Sequence, residues 1–284
     1  MIKVKGLHYT YKGSTSKAVD GIDFEIQKGE IFGFLGPSGA GKSTTQNILI
    51  RLLDHYEGHI EIFGRDLKSF GSDIYERIGV SFELPNHFLK LTAYENLAFF
   101  SSLYSGEMRD IDQLLERVGL GDARDQKVEN FSKGMKMRLN FIRALLNNPE
   151  VLFLDEPTSG LDPTNAKIMK ELILEEREKG RTIFITTHNM QVADDLCDRV
   201  AFMVEGKIVE LDKPEELKLK HGEKVVEVEY YKENTIETAR FGLENLGKET
   251  MFLEIVKQHP IRKMHSQETS LEDVFVKVTG RRLL

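Results

Sequence analysis

Nine residues, Gly36-Pro37-Ser38-Gly39-Ala40-Gly41-Lys42-Ser43-Thr44, constrain this chain more than any other stretch. An apolar run from Ile31 to Leu35 leads into them, and a helical pattern carrying Ile48, Leu49, Leu52 and Leu53 follows. The order is strand, loop, helix. The spacing is G-x-x-x-x-G-K-[ST], which suits an oligophosphate for physical reasons. The amides of Gly39, Ala40, Gly41 and Lys42 converge on phosphate oxygens only where side chains leave room, and the amino end of the next helix adds partial positive charge. Lys42 brings a full charge to the β- and γ-phosphates, and Ser43 offers a hydroxyl to Mg2+.

A second apolar run, Val151-Leu152-Phe153-Leu154, ends in Asp155-Glu156. A strand that stops in two carboxylates delivers them to the rim of a sheet, where the phosphates should lie. Asp155 is then placed to hold Mg2+ and Glu156 to polarise an attacking water. Further strands are expected at Thr182–Thr186 and Arg199–Val204, with a helix opened by Asp162-Pro163 and closed by Gly180. Strands alternating with helices imply a mainly parallel sheet, with ligands at the carboxyl ends of its strands.

The flanks read differently. In the first thirty residues Ile22, Phe24 and Ile26 alternate between Gly13, Gly21 and Gly29, the pattern of antiparallel strands with tight turns. Residues 92–146 read as mainly helical: Thr92 and Glu95 have capping-box spacing, and Leu97, Phe100, Leu103 and Tyr104 recur at helical intervals. Beyond Lys213, Val226, Val228 and Tyr230 alternate, Phe252 to Val256 forms an apolar run, and a last helix runs from Ser270 to Gly280. This gives a main domain over 1–212, with a helical part at about 84–148, and a small accessory domain over 213–284.

The net charge, 39 minus 46, is −7, which argues against nucleic acid as a partner. The apolar runs are far below the ~18 residues that cross a bilayer, so any membrane role is borrowed from a partner. The single cysteine, Cys197, lies among Ala193, Leu196 and Val200, reads as a packed thiol, and fits a reducing cytoplasm.

At this point a family resemblance becomes specific. Leu154 to Pro163, LDEPTSGLDP, closely resembles the hydrolytic strand and following D-loop of ATP-binding cassette (ABC) proteins, and the other family elements occur in order over residues 1 to about 212. The resemblance implies an α/β fold: a P-loop NTPase (ABC ATPase) core with an antiparallel β subdomain and a helical subdomain, plus a small α+β C-terminal domain. It implies that Tyr11 stacks on adenine, where the bland reading is a packed strand aromatic. It also implies that His188 touches the γ-phosphate and that Asp162, in the D-loop, belongs to the nucleotide site.

The family signature, usually LSGGQ, resembles Phe131-Ser132-Lys133-Gly134-Met135 here, departing at its first, third and fifth positions. Ser132 and the Gly134 amide would meet phosphate from a helix terminus; read alone, Ser132 is an ordinary N-cap. Glu83 stands where the family usually has glutamine, as a further candidate Mg2+ ligand that repels phosphate when metal is absent. In the family, ATP is sandwiched between the phosphate loop of one subunit and the signature of another. One copy of each motif therefore implies a dimer, homo- or heteromeric, with ATP and Mg2+ as substrate and cofactor.

The same resemblance implies a separate transmembrane permease that docks near Glu83, where Pro85, His87, Phe88 and Leu89 make an apolar loop, and a place on the inner face of the cell membrane. The tail SLEDVFVKVTG and the signature variant are similar to two-component drug or antibiotic exporters. The rival readings are a soluble non-transport cassette ATPase and a nucleotide-dependent regulatory protein.

Overall fold

The structure, a computed structural model, describes residues 1–222, 225–233, 235–267 and 269–280. It divides into two compact units, the first spanning Met1–Pro214 and the second beginning at Glu215.

The first unit opens with β1 (Ile2–Tyr9) and β2 (Val19–Ile26), followed by β3 (Ile31–Leu35) and α1 (Lys42–Leu49). Next come β4 (Glu57–Ile62), the short β5 (Arg65–Asp66) and β6 (Ile78–Ser81). A helical stretch contains α2 (Ala93–Ser101), α3 (Ile111–Arg117) and α4 (Lys133–Arg143). Then β7 (Val151–Asp155), α5 (Pro163–Glu178), β8 (Thr182–Thr187), α6 (Met190–Leu196), β9 (Arg199–Val204) and β10 (Lys207–Asp212) complete it.

Two sheets organise this unit. One is antiparallel, in the order β2-β1-β4-β5; the other has the order β10-β9-β3-β8-β7-β6 and is parallel except for its β10 edge. The inner strands read as expected for a sheet covered on both faces: every residue of β3 and β8 is buried. Phe24, Phe32, Phe34, Phe184 and Phe153 form a chain of ring contacts between 4.9 and 6.4 Å that joins β2 of the first sheet to the second. Cys197 packs where a Cβ on Gly33 would lie 2.7 Å from its Sγ. Burial, helped by Asp198 and Glu30, raises its thiol pKa well above the ordinary value and keeps it unreactive.

Four expectations change. Gly21 is no turn separator: it lies inside β2, at φ 70°, where the β1–β2 register shifts between Leu7 and His8. The first helix stops at Leu49 rather than reaching Leu53, because Arg51 turns left-handed at φ 58° and its guanidinium donates to the carbonyls of Phe70 and Gly71. Ile78–Ser81, where no strand is expected, forms an edge strand paired with β7. The helical stretch is three helices with turns between them, and α2 ends at Ser101, before Leu103 and Tyr104.

Cap chemistry sets the helix starts. Thr92 makes a full capping box with Glu95, Ser132 accepts from the Met135 amide at 3.2 Å, and Asp162 accepts from the amides of Thr164 and Asn165 at 3.1 Å each.

The second unit holds most of α7 (Pro214–His221), then β11 (Val225–Lys232), β12 (Thr235–Gly242), α8 (Thr250–Gln258), β13 (Ile261–Gln267) and α9 (Leu271–Thr279). Its antiparallel sheet has the order β12-β11-β13. Val226, Val228 and Tyr230 pack with Phe241 and Ile255 in a small core of their own. The apolar run at Phe252–Val256 is part of α8, and α9 starts on a Ser270–Asp273 capping box.

Candidate nucleotide site

At the carboxyl end of β3 the chain folds round a cavity of about 460 Å3. Residues Pro37 to Thr44 line it together with Tyr11, Ala18, Glu83, Glu156 and His188. Gly36 and Gly41 are required by space. A Cβ on Gly36 would fall 2.1 Å from the Met203 carbonyl, and one on Gly41, at φ 106°, 2.3 Å from the Ala18 carbonyl. Buried Lys42 donates from Nζ to the Gly36 and Pro37 carbonyls at 2.7 and 3.0 Å, so the loop curls round its own ammonium. Burial lowers the Lys42 pKa; the carboxylates of Glu156, Asp155 and Glu83 pull it back up.

The two carboxylates at the end of β7 are held differently. Asp155 accepts from the hydroxyls of Thr186 and Ser43, the latter at 3.3 Å, while burial and the neighbouring Glu156 raise its pKa. Glu156 adopts φ 47°, a left-handed conformation that costs a non-glycine residue about 1–3 kcal/mol. That turn brings its buried carboxylate back over the end of β8. There Oε1 accepts from the His188 amide at 2.9 Å and from His188 Nδ1 at 2.7 Å, and Oε2 accepts from the Thr187 hydroxyl at 3.0 Å. Because a carboxylate only accepts, His188 Nδ1 carries the proton and Nε2 is left for a ligand.

Tyr11 is 44% exposed, donates or accepts through its hydroxyl with Thr44 at 3.0 Å, and rests edge-on against Tyr9. This fixes the ring at the cavity wall with one flank open.

Ser43 and Asp155 fit Mg2+ chemically: a hydroxyl and a partly desolvated carboxylate are hard oxygen donors for an ion that fills its other positions with phosphate and water. Among the described residues no three His, Cys, Asp or Glu side chains cluster closely enough to hold a metal by themselves. Glu83 therefore lines the cavity without forming a ready-made cage with Asp155 and Glu156.

The expected site residues fall into two groups. Tyr11, the loop from Gly36 to Thr44, Glu83, Asp155, Glu156 and His188 come together. Ser132, Gly134 and Asp162 do not line that cavity. Ser132 caps α4; Gly134 is packed so that an added Cβ would sit 2.9 Å from Asn165; Asp162 caps α5 and accepts from Asn165 Nδ2 at 2.6 Å. Sequence reasoning missed Ala18, whose backbone closes the loop, and the hydroxyls of Thr186 and Thr187, which hold the two carboxylates. A run of two threonines at the end of a buried strand was the available signal.

A mainly parallel sheet with this loop at the carboxyl end of an inner strand defines a phosphate-loop nucleotide-binding protein. A family model described as ABC transporter matches residues 19–159, and one described as fluoroquinolone efflux ABC transporter C-terminal domain matches residues 224–268. Over 284 residues, all of this chain and 94% of the relative, the chain is 53% identical to a fluoroquinolones export ATP-binding protein of Mycobacterium tuberculosis. It is 36% identical to the bacitracin transport ATP-binding protein BcrA of Bacillus licheniformis, covering 98% of this chain and 97% of that one. Among solved structures, the dimeric post-hydrolysis state of the ATP-binding cassette MJ0796 bound to ADP and Pi has a TM-score of 0.68 and 29% identity, covering 75% of this chain and 98% of that one. The chain belongs to the ATP-binding, ATP-hydrolysing subunits of ABC transporters.

Proposed function

We propose that this chain is the Mg2+-dependent ATPase of a two-component exporter, working as a dimer of cassettes on the inner face of the membrane and driving a separate permease. The observation that carries the reading is the division of the site: one cavity unites the phosphate loop with Glu156 and His188, whereas Ser132 lies outside it, capping the start of α4. A second cassette placing its Ser132 and Gly134 amide over the phosphates would complete each half. Export is supported by the fluoroquinolones export relative, which matches the whole chain, accessory unit included. No helix among the described residues is long and apolar enough to cross a membrane; in this reading the separate permease supplies the path for the exported molecule.

In this reading Lys42 and the loop amides grip the β- and γ-phosphates, Tyr11 stacks on adenine, and His188 Nε2 meets the γ-phosphate. Glu156 orients the attacking water and accepts its proton. Mg2+ held by Ser43 and Asp155 would supply neutralisation of phosphate charge. Loss of the γ-phosphate removes what joins the two cassettes, so hydrolysis opens them.

The route to the permease runs along α4. Ser132 opens that helix, and near its other end Asn140 Nδ2 donates to Ser81 Oγ and the Phe82 carbonyl at 2.9 and 2.8 Å, while Arg143 donates to the Asn86 carbonyl at 2.9 Å. The segment carrying Glu83 is thus pinned to the helix that carries the signature. Leu84, Phe88, Leu89 and Phe99 stand exposed nearby as the docking surface. His87 is not part of it: Nε2 donates to the Lys136 carbonyl at 3.0 Å, and burial lowers its pKa to about 4.

Two tests follow. Gentle solubilisation of membranes and purification of the tagged chain should recover one integral membrane protein in fixed proportion; recovery of the chain alone, or with ribosomes, contradicts the transporter reading. Glu83→Gln removes a negative charge beside the phosphates, so ATP affinity measured by calorimetry in EDTA should rise about tenfold, with little change when Mg2+ is present. Equal effects in both conditions remove Glu83 from the metal-linked role.

A further inference from the structure

The charges round the phosphate loop do not balance. Glu83 and Glu156 line the cavity, Asp155 lies beside Lys42 at the end of β7, and Lys42 is the one lysine or arginine among the described lining residues. A triphosphate adds further negative charge, which one divalent cation only partly offsets. A surface that closes over this cavity must therefore bring a cation of its own.

The start of α4 offers one. Lys133 is exposed, follows the capping Ser132, and makes no ion pair among the described residues. Its ammonium nevertheless does not extend freely into water. It lies over Gly160, in the segment joining β7 to α5, where an added Cβ would fall 1.9 Å from Nζ. Gly160 has φ 63°, a conformation that favours glycine and leaves that space open. The signature turn and the segment after the hydrolytic strand thus present a positioned, unneutralised cation on one surface.

We propose that Lys133 acts in trans: as two cassettes close, its ammonium is carried over the nucleotide held by the other copy's Lys42 and offsets the charge of that copy's Glu83. The proposal rests on the dimer reading above and deepens it, making Lys133 a residue that favours the triphosphate-bound dimer. It also links Glu83 and Lys133: Glu83 adds to the negative charge of the cavity, and Lys133 offsets it on closure.

The test uses the full chain carrying Glu156→Gln, so that ATP persists, with dimerisation followed by sedimentation in saturating Mg-ATP. Lys133→Met keeps the alkyl stem over Gly160 and removes the charge; it should weaken the dimer about tenfold and flatten its salt dependence, while Lys133→Arg stays within about threefold of the parent. ATP affinity of the monomer, read at low protein concentration, should be unchanged by Lys133→Met, which separates a trans effect from a folding defect. Adding Glu83→Gln should shrink the Lys133→Met penalty to about threefold or less, the signature of coupled charges. An ATP-driven dimer with the same affinity in Lys133→Met as in the parent, or with the same tenfold penalty in both Glu83 backgrounds, overturns the trans pairing and leaves the dimer standing. Failure of the parent to dimerise both alone and together with the membrane subunit that co-purifies with it overturns the dimer reading and this proposal with it.

Discussion

Glu156→Gln should lower ATP turnover by about 10²- to 10⁴-fold, the range expected when a positioned general base is lost, while ATP binding persists. The substitution is well chosen by geometry. Gln retains an oxygen that can accept from the His188 amide and Nδ1 in place of Glu156 Oε1, and its amide nitrogen can donate to the Thr187 hydroxyl in place of Oε2. The left-handed turn at φ 47° is kept because the backbone is unchanged. Shape and hydrogen bonding survive, and basicity does not. A fall in turnover accompanied by unchanged ATP affinity and an unchanged unfolding midpoint assigns the loss to chemistry; turnover at the parental rate removes Glu156 from the proton-accepting role.

Glu176 carries the largest expected effect on stability. Its side chain is fully buried on α5 and gathers four cations: Arg117 and Arg181 in short contacts, Lys179 at 3.2 Å and Arg109 at 3.5 Å. Desolvation alone would raise its pKa; the hydrogen bond from Arg117 and the charges of Arg181, Arg117 and Arg109 overcome this and lower it from 4.5 to about 2. Arg109 and Arg117 come from the segment before α3 and from α3 itself, so the cluster fastens the helical part to the core. Glu176→Leu removes the buried carboxylate those cations share, leaving Arg117 with its ion pair to Glu175 alone and Arg181 with only the neutral oxygens of Pro149 and Asn148, and should destabilise the protein by about 3–5 kcal/mol in denaturant titrations.

The pH dependence has a definite sign. A carboxylate whose folded pKa is depressed contributes fully above its unfolded pKa of 4.5 and loses that contribution as pH falls toward about 2. The shift corresponds to about 3 kcal/mol. Acid unfolding of the parent should therefore steepen over that window, and Glu176→Gln should remove that part of the transition. An unaltered acid limb in the Gln variant contradicts the linkage.

The nucleotide cavity was largely legible in the sequence because phosphate chemistry imposes local spacing: a loop that must expose amides, then a lysine and a hydroxyl, all within nine residues. The parallel sheet was legible for a related reason, since strands covered on both faces are continuously apolar. Less local features escaped. Nothing in the order of residues announces that Arg109, Arg117 and Arg181 converge on Glu176, because those partners are chosen by packing across the chain. Gly21 misled because a bulge inside a strand and a tight turn ask for the same residue. The short Ile78–Ser81 strand was hidden by length and edge position, and the helix after the phosphate loop was overextended because Leu52 and Leu53 keep helical spacing beyond the point where Arg51 breaks it. Lys133 showed only as a departure from a pattern, and gained meaning once the structure placed it over Gly160.

The central claim is that the triphosphate itself joins two copies of this cassette. Sedimentation of the Glu156→Gln chain tests it most directly, with Mg-ATP, Mg-ADP or no nucleotide, alone and together with the membrane subunit recovered alongside it. The account predicts paired cassettes with Mg-ATP and separate ones in the other two conditions. Cassettes that stay apart in Mg-ATP both alone and in the presence of that subunit, or that pair equally well in Mg-ADP, would contradict it.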